Sequence, residues 1–332
     1  MSAADSNDNK ELPSADICAN CGKGEEGSNS LKACTACKMV KYCNRECQIA
    51  HRPQHKRECK RRAAELHDEN LFKQPPQQCE DCPICFLQIP FLLTGSKWYA
   101  CCGKTICSGC VHAPIYDNEG NMVADTVYDN GGNAVTDKTC PFCRTPGPTS
   151  NEEAVERTKN RVKVGDAIAI YNLGAYYHHG EAGFSQDYDK ALELWQQAGK
   201  LGYATAYYNI GICYYNGEGV EMDKKKARHY LELAAIGGNV KARHNLGAFE
   251  ANAGNPDRAI KHYMIALTNG NNDSLKGIQV IFKKGYATKE DYEKALRYRQ
   301  EYLGNIRSEQ RDKAAAASDE NKYIDSILPY WN

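Results

Sequence analysis

The chemistry in this chain is concentrated in its cysteines. The series Cys18-x2-Cys21-x12-Cys34-x2-Cys37-x5-Cys43-x3-Cys47-x7-His55-x3-Cys59 supplies eight soft ligands in a short segment. A second series, Cys82, Cys85, Cys101, Cys102, Cys107, Cys110, Cys140 and Cys143, supplies eight more. Thiolates and imidazoles in sets of four suit tetrahedral zinc. Segments this small cannot bury a self-sufficient core, so bound metal would supply their folding free energy. Sixteen of the 17 cysteines lie between Cys18 and Cys143. The opening residues, MSAADSNDNKELPSAD, hold no apolar secretory core and read as a disordered polar tail over residues 1–16. Crowded cysteines in a reducing compartment point to metal rather than disulfides. The expectation is about four Zn2+ ions per chain in a cytoplasmic or nuclear protein.

Composition excludes other classes. The chain has 332 residues, with 42 Lys and Arg against 42 Asp and Glu. That balance argues against a bulk binder of nucleic acid or of an anionic membrane. No apolar run approaches the roughly 20 residues that span a bilayer, so no membrane partner is expected. Residues 32–62 carry ten Lys or Arg against two Glu. Interleaved aromatics and a second basic face are missing, and cations among thiolates offset the negative charge of cysteine-rich metal sites. Nucleic acid is therefore not the expected partner.

The first series, above all KYCNRECQIAHRPQHKREC, resembles a MYND finger over residues 17–60. In that family alternate ligand pairs share a metal. The resemblance therefore implies one zinc on Cys18, Cys21, Cys43 and Cys47 and another on Cys34, Cys37, His55 and Cys59. His51 competes with His55, because positions 47, 51, 55 and 59 share one helical face; the family register favours His55. MYND fingers commonly bind proline-containing peptides through a tryptophan three residues before the histidine ligand. Arg52 stands at that position here.

The second series, with CPIC at 82–85, CCGKTICSGC at 101–110 and CPFC at 140–143, resembles an all-cysteine RING finger over residues 79–146. The position that usually carries a histidine ligand holds Lys104. Cross-braced pairing would put Cys82, Cys85, Cys107 and Cys110 on one zinc and Cys101, Cys102, Cys140 and Cys143 on the other. Lys104 would then be a cationic neighbour of the metal; the alternative is a site short of one ligand. Cys79 offers a rival register with Cys82. RING ligases place an apolar residue between the first two cysteines, a proline within the last pair and a cation after the final cysteine. Ile84, Pro141 and Arg144 fill these positions. The resemblance implies recruitment of a ubiquitin-conjugating enzyme, with catalysis by positioning alone.

Between Cys110 and Cys140 an insert, residues 111–139, contains YDNEGNMVAD and YDNGGNAVTD. Asn-Gly-type turns beside Val and Tyr predict β-hairpins. Its acidic residues are not spaced as in a calcium-binding EF-hand loop.

The elements downstream follow another rule. AIYNLG, AYYNIG and ARHNLG, beginning at 169, 206 and 242, recur at intervals of about 36 residues, and each precedes a loop glycine, Gly180, Gly217 or Gly254. Second helices, KALELWQQA, KARHYLELA and RAIKHYMIA, stop near Gly202, Gly238 and Gly270. The pattern resembles Sel-like repeats, relatives of the tetratricopeptide repeat, over residues 163–305, with a fourth repeat beginning near Asn271. Helical hairpins of this kind bury their apolar faces only by stacking. Asn172, Asn209 and Asn245 fall at equivalent places on first helices and either bind an extended peptide backbone in the groove or tie neighbouring helices together. Residues 61–78 and 147–162 read as linkers and 306–332 as a C-terminal tail with a docking segment, NKYIDSILPYWN.

The predicted fold class is multidomain: two small cross-braced zinc-finger modules followed by an all-α helical-hairpin repeat solenoid. Two functions are carried forward. One is a RING-type ubiquitin ligase whose repeats hold protein or peptide substrates; the other is a zinc-dependent interaction scaffold without catalysis. A MYND-bearing lysine methyltransferase is excluded, because repeats and cysteines occupy the rest of the chain.

Overall fold

A computed structural model describes residues 17–24, 30–74, 81–90, 96–113, 115–116, 122–124, 127–128, 134–135 and 139–317. The expected polar tail 1–16, Cys79, the hairpin turns and acidic residues of the insert, and NKYIDSILPYWN lie outside them. The chain forms two compact units, Met1–Lys73 and Gln74–Asn332.

In the first unit, β1 (Lys32–Ala33) and β2 (Lys41–Tyr42) pair antiparallel and lead into the helix α1 (Arg45–Leu71). Asn44 caps α1 by accepting the Cys47 N–H at 2.8 Å. Leu31, Val40, Tyr42 and the buried sulfurs of Cys18, Cys34 and Cys37 make the core. The helix runs through 61–71, which the sequence reading assigned to a linker. Arg61 and Arg62 bridge Glu58, Glu65 and Glu69 along that stretch. Side chains three and four apart thus support a helix with no apolar stripe to announce it.

In the second unit, β3 (Ser96–Tyr99) and β4 (Lys104–Cys107) form a hairpin pairing Ser96 with Cys107 and Tyr99 with Lys104. A short helix, α2 (Ser108–Val111), follows. The insert contains two further antiparallel pairs, β5 (Ile115–Tyr116) with β6 (Met122–Ala124) and β7 (Val127–Tyr128) with β8 (Ala134–Val135).

Residues 147–162, expected as a linker, carry most of α3 (Asn151–Lys163). Ser150 caps it, and Glu153 accepts the backbone N–H and the hydroxyl of Thr149, each at 2.8 Å. The solenoid continues as hairpins: α4 (Ala167–His179) with α5 (Tyr188–Lys200), α6 (Ala204–Asn216) with α7 (Lys224–Ile236), α8 (Val240–Asn252) with α9 (Pro256–Thr268), and α10 (Asn272–Lys283) with α11 (Lys289–Ile306). The predicted loop glycines Gly180, Gly217 and Gly254 and stop glycines Gly202, Gly238 and Gly270 all have positive φ, the left-handed geometry that ends a helix. Close packing follows from small residues. A Cβ at Gly174 would lie 2.7 Å from Cδ1 of Trp195, whose buried indole donates to the Tyr171 carbonyl at 3.1 Å. The last helix among the described residues, α12 (Glu309–Ala317), occupies part of the expected C-terminal tail.

Candidate metal centres and partner groove

Four backbone loops of one design present cysteines. In these four, Cys18/Cys21, Cys34/Cys37, Cys82/Cys85 and Cys140/Cys143, the pair is followed by a residue with φ near +60° to +70°, Gly22, Lys38, Phe86 and Arg144, whereas Cys107 and Cys110 lead into and lie on α2. The N–H of that following residue donates back to the first cysteine's carbonyl: Gly22 to Cys18 at 2.9 Å, Lys38 to Cys34 at 2.9 Å, Phe86 to Cys82 at 2.8 Å and Arg144 to Cys140 at 2.9 Å. The first cysteine's own N–H is held by a carbonyl further on, that of Lys23, Val40, Leu87 or Thr145. These turns aim both sulfurs of a pair at one point.

The points converge in fours. Cys18, Cys21, Cys43 and Cys47 form one group; Cys34, Cys37, His55 and Cys59 another; Cys82, Cys85, Cys107 and Cys110 a third; Cys101, Cys102, Cys140 and Cys143 a fourth, each with ligand atoms within 4.8 Å of one another. Two sulfurs bound tetrahedrally to zinc at about 2.3 Å sit about 3.8 Å apart. The sulfur pairs Cys21–Cys43, Cys34–Cys59, Cys85–Cys107 and Cys102–Cys140 are each 3.7 Å apart, and Cys143–Cys101 is 3.4 Å. The donor sets therefore fit zinc in both cysteine-rich modules.

His55 Nε2 lies 3.1 Å from Cys37 Sγ, whereas His51 turns its Nδ1 to the Tyr42 hydroxyl at 3.1 Å and belongs to no group. Lys104 is exposed on β4. Its backbone N–H, rather than an ammonium, bonds to the Cys102 sulfur.

Proton affinities within each group are split. Burial opposes ionisation of Cys18, yet backbone donors from Cys21, Cys43 and Asn20 hold its thiol down to about 6. Cys34, also buried, is held to about 6 by the Cys37 amide and His55. Cys143 is lowered to about 6, chiefly by the Thr145 hydroxyl. Cys82 is lowered by the Cys107 and Cys110 thiols. Their neighbours move the other way: Cys43 up to about 12, chiefly through Cys47, and Cys59 up to about 12 and Cys102 up to about 11, chiefly through burial. In each group the lowered thiol gives up its proton before its raised neighbours, from which a bound cation would displace it.

The partner-facing candidates are distributed around these centres. On one knuckle of the second module Ile84 is 38% exposed and Phe86 78%; on the other Phe142 is 45% exposed, Pro141 half-buried and Arg144 exposed. On the solenoid, Asn209 Nδ2 donates to the Tyr171 hydroxyl at 3.1 Å, and Asn245 hydrogen-bonds Tyr208. Each ties a first helix to the one before it. Asn172 is half-buried on α4. Asn209, but neither Asn172 nor Asn245, also lines a cleft of about 530 Å³. Ile89, Pro90, Gly103 and Thr105 of the second module form one wall; Asp166, Tyr171, Tyr208, Asn209, Asn239 and Lys241 form the other. In the first unit, Arg45, Arg52, Lys56 and Lys60 line a hollow of about 560 Å³ together with Tyr42 and Ile49.

Sequence reasoning missed a further cluster, His178, Cys213 and Glu218, between the first two repeats. Cys213 stands alone in sequence, and no Cys-x-x-Cys spacing marks it.

Comparison with known families agrees with this architecture. The MYND finger family model matches residues 18–59, and the Sel1 repeat model matches 167–203, 204–239 and 277–298. The α8–α9 hairpin falls between these matches; only residues 253–255 join its helices, whereas residues 180–187 and 217–223 join the first two pairs. No curated protein gives a significant match. Among solved structures, a Sel1 repeat protein from Oxalobacter formigenes is 28% identical with a TM-score of 0.41, covering 46% of this chain and 64% of its own. A protective antigen of uropathogenic Escherichia coli with an SLR fold is 21% identical (TM-score 0.40), covering 53% and 42% respectively. An immunity protein from Pseudomonas aeruginosa is 24% identical (TM-score 0.34), covering 51% and 63%. This chain thus spans less than two thirds of each. The protein is a cysteine-rich, zinc-finger-like region followed by an all-helical Sel1-type solenoid. No helix of the described residues is long and apolar enough to cross a membrane.

Proposed function

We propose that this protein is a zinc-organised scaffold for protein–protein interaction that holds an extended segment of a partner between its second cysteine module and its first repeats. The observation that carries the reading is the cleft bounded by both. Tyr171 and Tyr208 offer aromatic faces, Asn209 and Asn239 offer amides, and Lys241 adds an exposed charge. Aromatic and amide groups along a concave helical surface suit an extended backbone with intermittent side-chain pockets. The zinc ions have a structural role, since all four positions of each group come from the chain. The hollow on the first module supports a second contact, with an acidic peptide, because Arg52 stands where the MYND resemblance places a tryptophan. The test is partner retention by full-length protein carrying Tyr208→Ala with Lys241→Glu. Loss of the partner with zinc content unchanged supports the cleft; undiminished retention contradicts it.

A second reading, the RING-type ligase, draws on the exposed side chains of Ile84 and Phe86 on one knuckle and of Phe142 and Arg144 on the other. The knuckle turn is also made with Gly22, Lys38 and Phe86 at the position of Arg144, so the turn itself does not require a guanidinium there. Arg144 is thus available to a conjugating enzyme and its ubiquitin thioester. Discharge of ubiquitin from a panel of loaded conjugating enzymes separates the readings. The ligase requires stimulation by wild type that Arg144→Ala and Ile84→Ala reduce; the scaffold requires none.

A further inference from the structure

The cluster missed in the sequence has its own architecture. His178 sits in the last turn of α4 and Cys213 in the last turn of α6. Gly217, with φ of 73°, ends α6 in a left-handed cap, and the N–H groups of both Gly217 and Glu218 return to the Cys213 carbonyl at 2.9 and 3.0 Å. This cap folds Glu218 back over the helix end. The next residue must be glycine: Gly219 has φ of 70°, and a Cβ there would run into the Tyr188 ring. Bare backbone at Gly219 thus packs against Tyr188, and the Glu218 carboxylate lies beside His178.

The resulting distances are those of a coordination sphere. Cys213 Sγ lies 3.7 Å from His178 Nε2, and Glu218 Oε1 lies 3.4 Å from the same nitrogen. Tetrahedral zinc with ordinary bond lengths places sulfur and nitrogen about 3.6 Å apart, and nitrogen and oxygen about 3.3 Å apart. His178 and Cys213 are buried, while the Glu218 side chain is partly exposed and leaves an entrance from solvent. The imidazole is held in place by its surroundings. Its other nitrogen, Nδ1, lies 3.4 Å from His179 Nδ1, the Tyr188 and Trp195 rings flank it, and Gln186 donates to its carbonyl at 2.9 Å. With the Nδ1 proton donated to His179, the Nε2 lone pair is left for a metal.

We propose that His178, Cys213 and Glu218 form a metal site that takes Zn2+ or a similar borderline divalent cation, separate from the four finger groups, and joins the first two repeats. Nitrogen, thiolate and carboxylate together suit that class rather than calcium or magnesium. Binding breaks the Cys213 S–H bond and releases its proton to solvent, with no change of oxidation state. Three chain ligands leave one position for water or a partner's donor. Zinc exchange at this site is expected to be easier than in the fingers, because it has fewer ligands and a solvent-exposed carboxylate.

The test is isothermal titration of Zn2+ alone into full-length protein already holding its finger zinc, with native mass spectrometry as the count. Wild type should take one equivalent beyond the fingers and gain in melting temperature. Cys213→Ser and His178→Ala should abolish that uptake. Glu218→Gln, a change in a loop that leaves the helices alone, should weaken it at least tenfold while preserving the circular dichroism of the solenoid. Absence of the extra equivalent in wild type overturns the proposal, leaving a buried histidine hydrogen-bonded to a carboxylate. Uptake that survives all three substitutions also overturns it, since the ion then sits elsewhere.

Discussion

The guanidinium of Arg311 donates to the carbonyl oxygen of Leu87, 224 residues earlier in the chain, at 3.3 Å. Leu87 is the residue whose carbonyl also accepts the Cys82 N–H at 2.9 Å, so one oxygen serves both the knuckle of the third cysteine group and the last described helix. Arg311 is fully buried, and its other bond runs to the Ile306 carbonyl at 2.7 Å. On the same face, a Cβ at Gly109 would be 2.9 Å from the Arg311 backbone nitrogen, so only glycine lets α2 and α12 meet. At the other end of the solenoid, the Gly103 turn lies against Arg161 and Asp166, a pair joined at 2.7 Å where α3 passes into α4. The second cysteine module therefore touches both the first turn of the repeats and their last helix.

Arg311→Ala should destabilise the full-length protein by about 2 kcal/mol or more, because it removes two charge-assisted hydrogen bonds and leaves a cavity. Denaturant unfolding measures this. Chelation should raise hydrogen exchange in 309–317 together with the second module, while α6 to α9 stay protected. Unchanged protection of 309–317 after metal removal would show that α12 does not depend on the cysteine module.

The asparagines at equivalent repeat positions are expected to act first on stability. Asn209→Ala should cost about 1 kcal/mol by leaving the Tyr171 hydroxyl without its partner. A double-mutant cycle with Tyr171→Phe should show positive coupling, because the two side chains share one bond. Additive effects would mean that the 3.1 Å contact contributes nothing and that Asn209 serves the cleft alone.

Acid should loosen the third repeat before it reaches carboxylate pKa values. His262 on α9 is fully buried; burial, aided by the Arg243 charge, holds its imidazole down to about 3 from the ordinary 6.5. The neutral ring is the folded form, and the unfolded chain takes up a proton below pH 6.5. Stability is thus full above that value and is lost as pH falls toward 3, with a slope of up to about 1.4 kcal/mol per pH unit. Hydrogen exchange of α9 amides between pH 7 and 5 reports this opening, and His262→Gln should flatten the profile. An equal slope in the variant would assign the acid response to other groups.

What was legible in the sequence was local in space. A knuckle is closed by bonds from Cys82 to Leu87 or from Cys140 to Thr145, within a few residues, so spacing alone reveals it. The stop glycines are equally local, since a left-handed cap is a property of one residue. α1 beyond residue 60 reads as a linker because ion pairs such as Arg62–Glu69 stabilise it without an apolar period, and α3 does so because its buried face is only Val155, Thr158 and Val162 among charged residues such as the paired Arg157 and Glu153. Arg311 was invisible for a different reason. A helix that buries an arginine and an alanine against a distant glycine looks like a charged tail until the solenoid has brought its end round to α2. The grouping of His178 with Cys213 and Glu218 depends in the same way on stacking of one repeat upon the next.

The shared knuckle geometry implies that the second cysteine module holds metal as the first does. Native mass spectrometry of full-length protein, purified without added zinc or chelator, tests it most directly. The expected result is four tightly held zinc ions, falling by one in Cys82→Ser and by one in Cys140→Ser, with the fifth equivalent entering only when zinc is supplied. Two ions in wild type, unaffected by either substitution, would confine metal to residues 18–59 and contradict metal binding by the second module.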